Sequence, residues 1–300
     1  MARLLVVTVA FRSLAALERG YVTVTNDDVR VVLVDNAGGE DLGSVATRLG
    51  ATLVTSPTNV GFGRGCDLGA ALAAGEEWVA FVNPDLAITS EQLLEVIDAA
   101  PSDAVALCPL LTDPDGTPLP DVARTSPTAL QLALPWIIGA RGDRGTGLAT
   151  PESGRHQEVE VTSGACLIVR RAAFEAVGGF PDWLFFNAED IYLCDQLRAQ
   201  GRLYVDHGVT GVHEKLSSAN TVPMAAIMAE TARATSAYAA VRFGRLSWLG
   251  VYLAVVAGMI LRAVFRPGLR PLLGRTASLL WREAGLARQG RLGPVEPVFV

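Results

Sequence analysis

The chain has 300 residues, half of them apolar, enough for a full core and too many for a disordered segment. Its net charge of −6 argues against a nucleic-acid partner, and its four cysteines (66, 108, 166, 194) lack the spacing of a zinc knuckle or a disulfide framework. The charge is unevenly spread: residues 241–300 carry nine arginines against Glu283 and Glu296, a net +7, so the first 240 residues carry −13.

Met1-Ala2-Arg3 runs directly into Leu4–Val9, an apolar stretch too short for a signal core, so a cytosolic protein with free thiols is expected. Apolar runs then alternate with helical patterns. Arg3–Val9, Val29–Val34, Ala51–Val54, Trp78–Val82 and Ala104–Leu107 read as buried strands. Between them Ser13–Arg19, Asp41–Leu49, Gly63–Ala74 and Ser90–Ala99, the last with Ser90 as N-cap, read as helices. This predicts an α/β fold, a mostly parallel sheet sandwiched by helices.

Beyond Leu107 the pattern changes. Asp113-Pro114-Asp115-Gly116 marks a turn between short strands, and residues 120–157 read as a long surface loop holding one apolar segment, Leu130–Ile138. Val159–Arg170 is expected as a strand, Arg171–Val177 as a short helix and Ala188–Gln200 as a helix capped by Asn187. Short strands follow at Leu203–Val205 and Val209–Val212, and the chain after Asn220 reads as helical to its end. Trp248–Leu261 holds fourteen uncharged residues between basic flanks, which suits a helix lying in a membrane interface. Packing on the body, a dimer interface, or a span extended through Phe265 are the other readings.

Several residues in this order could carry chemistry. Asp35 ends a strand, where ligands of open α/β sheets sit, and could bond a base or ribose; it could also simply cap a turn. Asn59-Val60-Gly61-Phe62-Gly63-Arg64-Gly65 opens a helix, and glycines there would let backbone amides approach a phosphate. Asn83 and Asp85, two apart in an extended step, could turn both oxygens to one hard cation. Glu189 and Asp190 fall in the first turn of a helix, where the dipole favours them, and one could serve as a general base. His213 is either a loop histidine or a ligand in a mixed N/O set.

With these placed, the chain resembles the family 2 glycosyltransferases of the GT-A fold, in particular their bacterial rhamnosyltransferase-like branch. The resemblance runs from about Leu4 to Ser218 and is carried by VVLVDNAGG, NVGFGRG, FVNPD, LLTDPDG, SGACLIVRR, VGGF, AEDIYLCDQLR and VHEK. It implies a GT-A domain over residues 1–222 and a basic, apolar helical region over 223–300. It also implies an inverting transfer in which Asp190 is the base and Glu189 orients it or the acceptor. The nucleotide-sugar set implied is Thr8, Ala10, Asp35, Asn59, Gly63, Arg64, Asp67, Asn83 and Gly164, with Asp85 and His213 holding Mg²⁺ or Mn²⁺. The implied donor is dTDP-rhamnose, with a UDP-hexose as the alternative. The implied acceptor is a polyprenyl-linked sugar or cell-surface glycan, met on the inner face of the plasma membrane, where the C-terminal helices attach; a homo-oligomer stays open. A non-catalytic sugar-nucleotide-binding homologue and a nucleotidyltransferase are the competing classes. In place of the family's usual Thr-Tyr-Asn the chain has Thr8-Val9-Ala10, and Cys66-Asp67 replaces paired asparagines.

Overall fold

Strand β1 (Leu4–Ala10) is the centre of a parallel run, because all seven of its residues are buried and each apolar side chain has a layer to pack into on either face. In the computed structural model of the chain, which describes residues 2–138, 154–214, 222–265, 270, 280–283, 285–286 and 293, β1 pairs in parallel with β2 (Val29–Asp35) and β4 (Trp78–Val82). The short strand β3 (Thr52–Thr55) closes the edge beyond β2, and its largely exposed Thr-Leu-Val-Thr fits that place. Helices α1 (Leu14–Gly20), α2 (Gly43–Leu49) and α3 (Phe62–Ala70) are the crossovers.

The glycines of α3 set how closely that helix approaches the sheet. A β-carbon at Gly65 would lie 2.8 Å from Val9 Cγ1, and one at Gly69 would collide with Val7. Helix α4 (Ser90–Asp98) begins with a capping box in which Thr89 accepts from the Gln92 amide and the Gln92 side chain accepts from the Thr89 amide. The cap is therefore Thr89 and not Ser90, whose buried hydroxyl instead bonds the backbone of Val24.

The second half of the sheet is mixed. The full order is β3-β2-β1-β4-β8-β6-β9-β5 (β5 being Leu86–Ala87), with β7 (His156–Val159) on β9. Strand β6 (Ala104–Thr112) does not continue the parallel series next to β4; β8 (Cys166–Arg170) enters antiparallel between them. The expected single strand from Val159 to Arg170 is thus two, separated by 160–165. Conversely, the two strands expected near 203 and 209 are one, β9 (Arg202–His213), whose register shifts between its pairings with Pro109 and Leu110. Helix α6 (Arg171–Val177) follows β8 and ends at Gly178, φ 82°.

Contacts divide the chain into two compact units. The first comprises Met1–Thr125, Gly145–Pro181 and Asp190–Thr221, and the second Ser126–Arg144, Asp182–Glu189 and Val222–Val300. Two stretches placed by the linear division in the first domain therefore cluster with the C-terminal helices. The second unit contains α5 (Ala129–Ile138), α8 (Met224–Arg242) and α9 (Arg245–Phe265). Arg262 of α9 donates to the carbonyls of Pro135 and Trp136, at 2.8 and 2.7 Å, and so satisfies the end of α5. In α8 the fully buried Arg233 is paired with Glu230 and with Glu283, 3.3 Å away. Burial raises the Glu283 carboxyl above its ordinary value, with Arg233 pulling against it. The expected helical continuation past Phe265 and Lys215 of VHEK fall largely or wholly outside the described residues.

Candidate active site

Three loops meet at the carboxyl ends of the parallel strands. Asp35 closes β2, opposite Ala10 of β1 and Thr55 of β3, and its Oδ1 accepts the Gly38 amide at 3.2 Å. The next residue, Asn36, is buried and fixes the following glycine loop. Its Nδ2 donates to Asn59 Oδ1 (3.0 Å) and the Gly61 carbonyl (3.1 Å), and its Oδ1 accepts from the Val60 amide (2.9 Å). Asn59 also accepts from the Gly61 amide. Asn36 was not singled out from the sequence, although its place beside a strand-terminal Asp was the available signal. The loop it holds delivers the chain to the start of α3 through Gly61, whose φ of 89° suits glycine.

The Asn83-Pro84-Asp85 step leaves β4 and enters β5, which pairs antiparallel with the last residues of β9 so that Leu86 faces His213. That register brings together residues 128 apart: His213 Nε2 lies 3.0 Å from Asp85 Oδ1, and the Glu214 amide donates to the Asp85 carbonyl. Asp85 Oδ2 and His213 Nδ1 are both buried without a hydrogen-bond partner. A buried carboxylate oxygen left bare is costly unless a cation or donor completes it. The 3.0 Å spacing is also the separation of two neighbouring ligands at right angles on a hard cation, roughly 2.1 Å from each. The pair fits a divalent cation as two of its ligands. Among the described residues no third His, Cys, Asp or Glu joins them, so the remaining ligands would come from a bound diphosphate and water.

Asp190 stands next to this corner. The Asn83 amide donates to the Ala165 carbonyl at 2.9 Å, and the adjacent Gly164 abuts Asp190, where a β-carbon would lie 3.2 Å from Asp190 Cβ. Asp190 is the second residue of α7 (Glu189–Leu197). Its Oδ1 accepts from the Ile191 amide at 2.8 Å and its Oδ2 from Arg124 Nη2 at 2.6 Å. Burial works against the Arg124 charge, but the Asp190 carboxylate outweighs it and holds the guanidinium above its ordinary value. Burial also pushes the Cys194 thiol, one turn along α7, up to about 12, so it stays neutral. Glu189 is buried. Asn187 is not the helix cap: α7 starts at Glu189, Asn187 and Ala188 both have positive φ (70° and 69°), and the Asn187 side-chain Nδ2 donates to Thr231 Oγ1.

The other residues expected at the donor site have the following surroundings. Thr8 is fully buried with its hydroxyl 2.6 Å from Tyr21 Oη, and Ala10 has a buried side chain, so both serve the core. Gly63 is packed under Phe180, where a β-carbon would lie 2.9 Å away, which makes it a packing glycine. Asp67 accepts from the Phe180 amide and thereby secures the Val-Gly-Gly-Phe turn. Arg64 sits half-buried in the first turn of α3 and makes no ion pair among the described residues. Arg124, missed in the sequence, also walls a cleft of about 510 Å³ whose other arginines, 198 and 202, are paired with acids.

Against known families, residues 5–178 match the model of glycosyl transferase family 2. The chain belongs to this family. This family 2 chain is also 31% identical over 199 residues to the N-acetylglucosaminyl-diphospho-decaprenol L-rhamnosyltransferase of Mycobacterium tuberculosis, an alignment covering 60% of the chain and 64% of that relative. Among solved structures it resembles a mannosyltransferase of Pyrobaculum calidifontis bound to GDP-mannose and Mn²⁺, with a TM-score of 0.53, 16% identity and coverage of 96% and 87%. It also resembles S. aureus TarS 1-349 with UDP-GlcNAc, with a TM-score of 0.51, 14% identity and coverage of 97% and 91%. These likenesses show the GT-A fold.

Proposed function

We propose that the protein is an inverting glycosyltransferase that moves rhamnose from dTDP-rhamnose onto a polyprenyl-diphosphate-linked amino sugar. The supporting observation is that Asp85–His213 and Asp190 are tied through Asn83, Ala165 and Gly164 to one end of the sheet. The rhamnosyltransferase relative supports the donor and acceptor classes.

In this reading Asp35 and the loop held by Asn36 and Asn59 receive the nucleoside. The amides at the start of α3, with Arg64, face the diphosphate, since a helix N-terminus favours an anion. Asp85 and His213 would hold Mg²⁺ or Mn²⁺, which when bound neutralises charge growing on the leaving diphosphate. Asp190 accepts the proton of the acceptor hydroxyl as that oxygen bonds the anomeric carbon. The bond from that carbon to the diphosphate breaks, and the configuration inverts. Gly164 lets the backbone pass close beside Asp190, where a β-carbon would press on the carboxylate-bearing side chain at 3.2 Å.

The same proposal places the enzyme on a membrane surface. Helix α9 is long and apolar enough to cross a membrane by length and composition. Its exposed positions Leu246, Gly250, Leu253, Ala257, Ile260 and Val264 recur every three or four residues and form an apolar stripe, with Arg245 and Ser247 exposed only in its first turn. Arg242 and Arg245 flank its start, where each arginine near anionic lipid contributes about 1 kcal/mol. Removing the helix would uncover α5, so Leu253→Asp with Ile260→Asp is the cleaner test. Flotation with anionic vesicles should be lost, whereas unchanged flotation, or a fall in oligomer size instead, contradicts membrane attachment.

Calorimetric titration with dTDP-rhamnose and with UDP- and GDP-sugars, each with and without Mn²⁺, tests the donor reading. Mn²⁺-dependent binding of dTDP-rhamnose is expected. Preference for a UDP-hexose overturns the donor, and no binding to any sugar nucleotide by the folded protein overturns the reading.

A further inference from the structure

The ion pair that ends on the Asp190 carboxylate is built from both sides. Backbone bonds in each direction between Arg124 and Val161, at 2.9 and 3.0 Å, fix the Arg124 main chain. From there its Nη2 reaches two acceptors, the Thr162 carbonyl at 2.9 Å and Asp190 Oδ2 at 2.6 Å. The side chain is 9% exposed and that of Asp190 20%. The segment between β7 and β8 that anchors Arg124 at Val161 continues into Gly164, which contacts Asp190 from another side. The Ile191 amide takes Oδ1. The carboxylate is thus held at both oxygens, and a planar guanidinium fixes its direction better than a flexible ammonium could.

We propose that Arg124 is the positioning residue of the base, aiming the Asp190 carboxylate at the acceptor hydroxyl without itself touching substrate. This rests on Asp190 being the base. The carboxylate keeps lone pairs beyond those engaged by Arg124 and Ile191, and these are what a hydroxyl would meet. Binding of the donor does not pass through Arg124, so its loss acts on the chemical step.

The test is a double-mutant cycle on the full-length protein, following dTDP release from dTDP-rhamnose with a short-chain polyprenyl-diphosphate-GlcNAc acceptor. Arg124→Gln should lower kcat by about 10- to 100-fold, the penalty of a base misplaced by about an ångström, with donor KM and Kd unchanged. Arg124→Lys, which keeps the charge and one donor, should recover much of that loss. In an Asp190→Asn background, Arg124→Gln should slow turnover no further, because a residue acting through Asp190 has nothing left to position.

Losses that multiply in the double variant, a donor Kd that weakens in step with kcat, or equal losses for Gln and Lys would each overturn the proposal. Should the Gln variant fail to melt cooperatively, the Lys variant and its own Asp190→Asn cycle decide it by the same criteria. Asp190→Asn alone separates the two levels. If it turns over near the wild-type rate the base assignment falls, whereas if it is slowed by orders of magnitude and the losses still multiply on its residual rate, only the role of Arg124 falls.

Discussion

Replacing Asn36 by alanine tests whether the glycine loop is held in the way its hydrogen bonds indicate. The side chain is 2% exposed and makes three bonds to the loop, to Asn59, Val60 and Gly61. Alanine leaves the part-buried Val60 amide without its partner, at about 1–3 kcal/mol, and takes one of two donors from the buried Gly61 carbonyl, which keeps the Gly65 amide at 3.2 Å. With the carbonyl still satisfied by Gly65, the first unit should lose about 2 kcal/mol. Native-state hydrogen exchange of β1 and β2 amides reads this directly, since these strands report opening of that unit whatever the second unit does. Donor affinity should fall about tenfold as the loop loosens, a change worth about 1.4 kcal/mol. Asn36→Asp should be no better, because it keeps the acceptor for Val60 but turns oxygen onto the oxygens of Asn59 and Gly61. A loss below about 1 kcal/mol with unchanged donor affinity would refute the argument, since unmade buried bonds cannot be that inexpensive.

Further tests reach other parts of the molecule. Asp85→Ala should abolish the Mn²⁺ dependence of donor binding, and His213→Ala should weaken Mn²⁺ at least tenfold; isothermal titration with the metal varied checks both. Thr89→Ala removes the capping box and should destabilise the first unit by about 1 kcal/mol in the same exchange experiment, while Ser90→Ala acts only through its bonds to Val24. Arg233→Met removes the buried cation that Glu230 and Glu283 share and should cost the second unit about 3 kcal/mol, seen as a lowered melting temperature. At high pH the sign is fixed by three buried groups. Burial pushes Tyr21 from 10.0, and Cys108 and Cys194 from 9.0, each up to about 12. The unfolded chain loses these protons first, so the stability they contribute is complete below pH 9 and should fall from pH 9 toward 12. Urea unfolding at pH 8 and pH 10.5 measures it.

The alternating half of the fold was legible because strands buried on both faces must be apolar throughout. Trp78–Val82 and Arg171–Val177 match the structure residue for residue. Antiparallel insertion of β8 was not legible, since a buried run carries no mark of its direction or neighbours. Nor was the unity of β9, because Asp206-His207-Gly208 looks like a break in sequence, yet the strand runs through it by a register shift that carries the β6 pairing from Asp206 to Thr210. The glycines of the Asn59–Gly65 stretch have a packing role that the sequence did not reveal: Gly63 and Gly65 admit Phe180 and Val9 at close range. Asp85 and His213 could be named from the sequence, but their meeting depends on the two-residue strand β5. Arg124 gave no local signal, for its partner lies 66 residues away and only the sheet brings them together.

The most direct test of the central claim is the rate and stereochemistry of rhamnosyl transfer to a polyprenyl-diphosphate-GlcNAc acceptor by wild type and Asp190→Asn. The account predicts a product of inverted anomeric configuration from the wild type. Asp190→Asn should still bind donor but turn over about 10²–10⁴ times more slowly, the usual worth of a general base. Retained configuration, or a variant within tenfold of wild type, would contradict it.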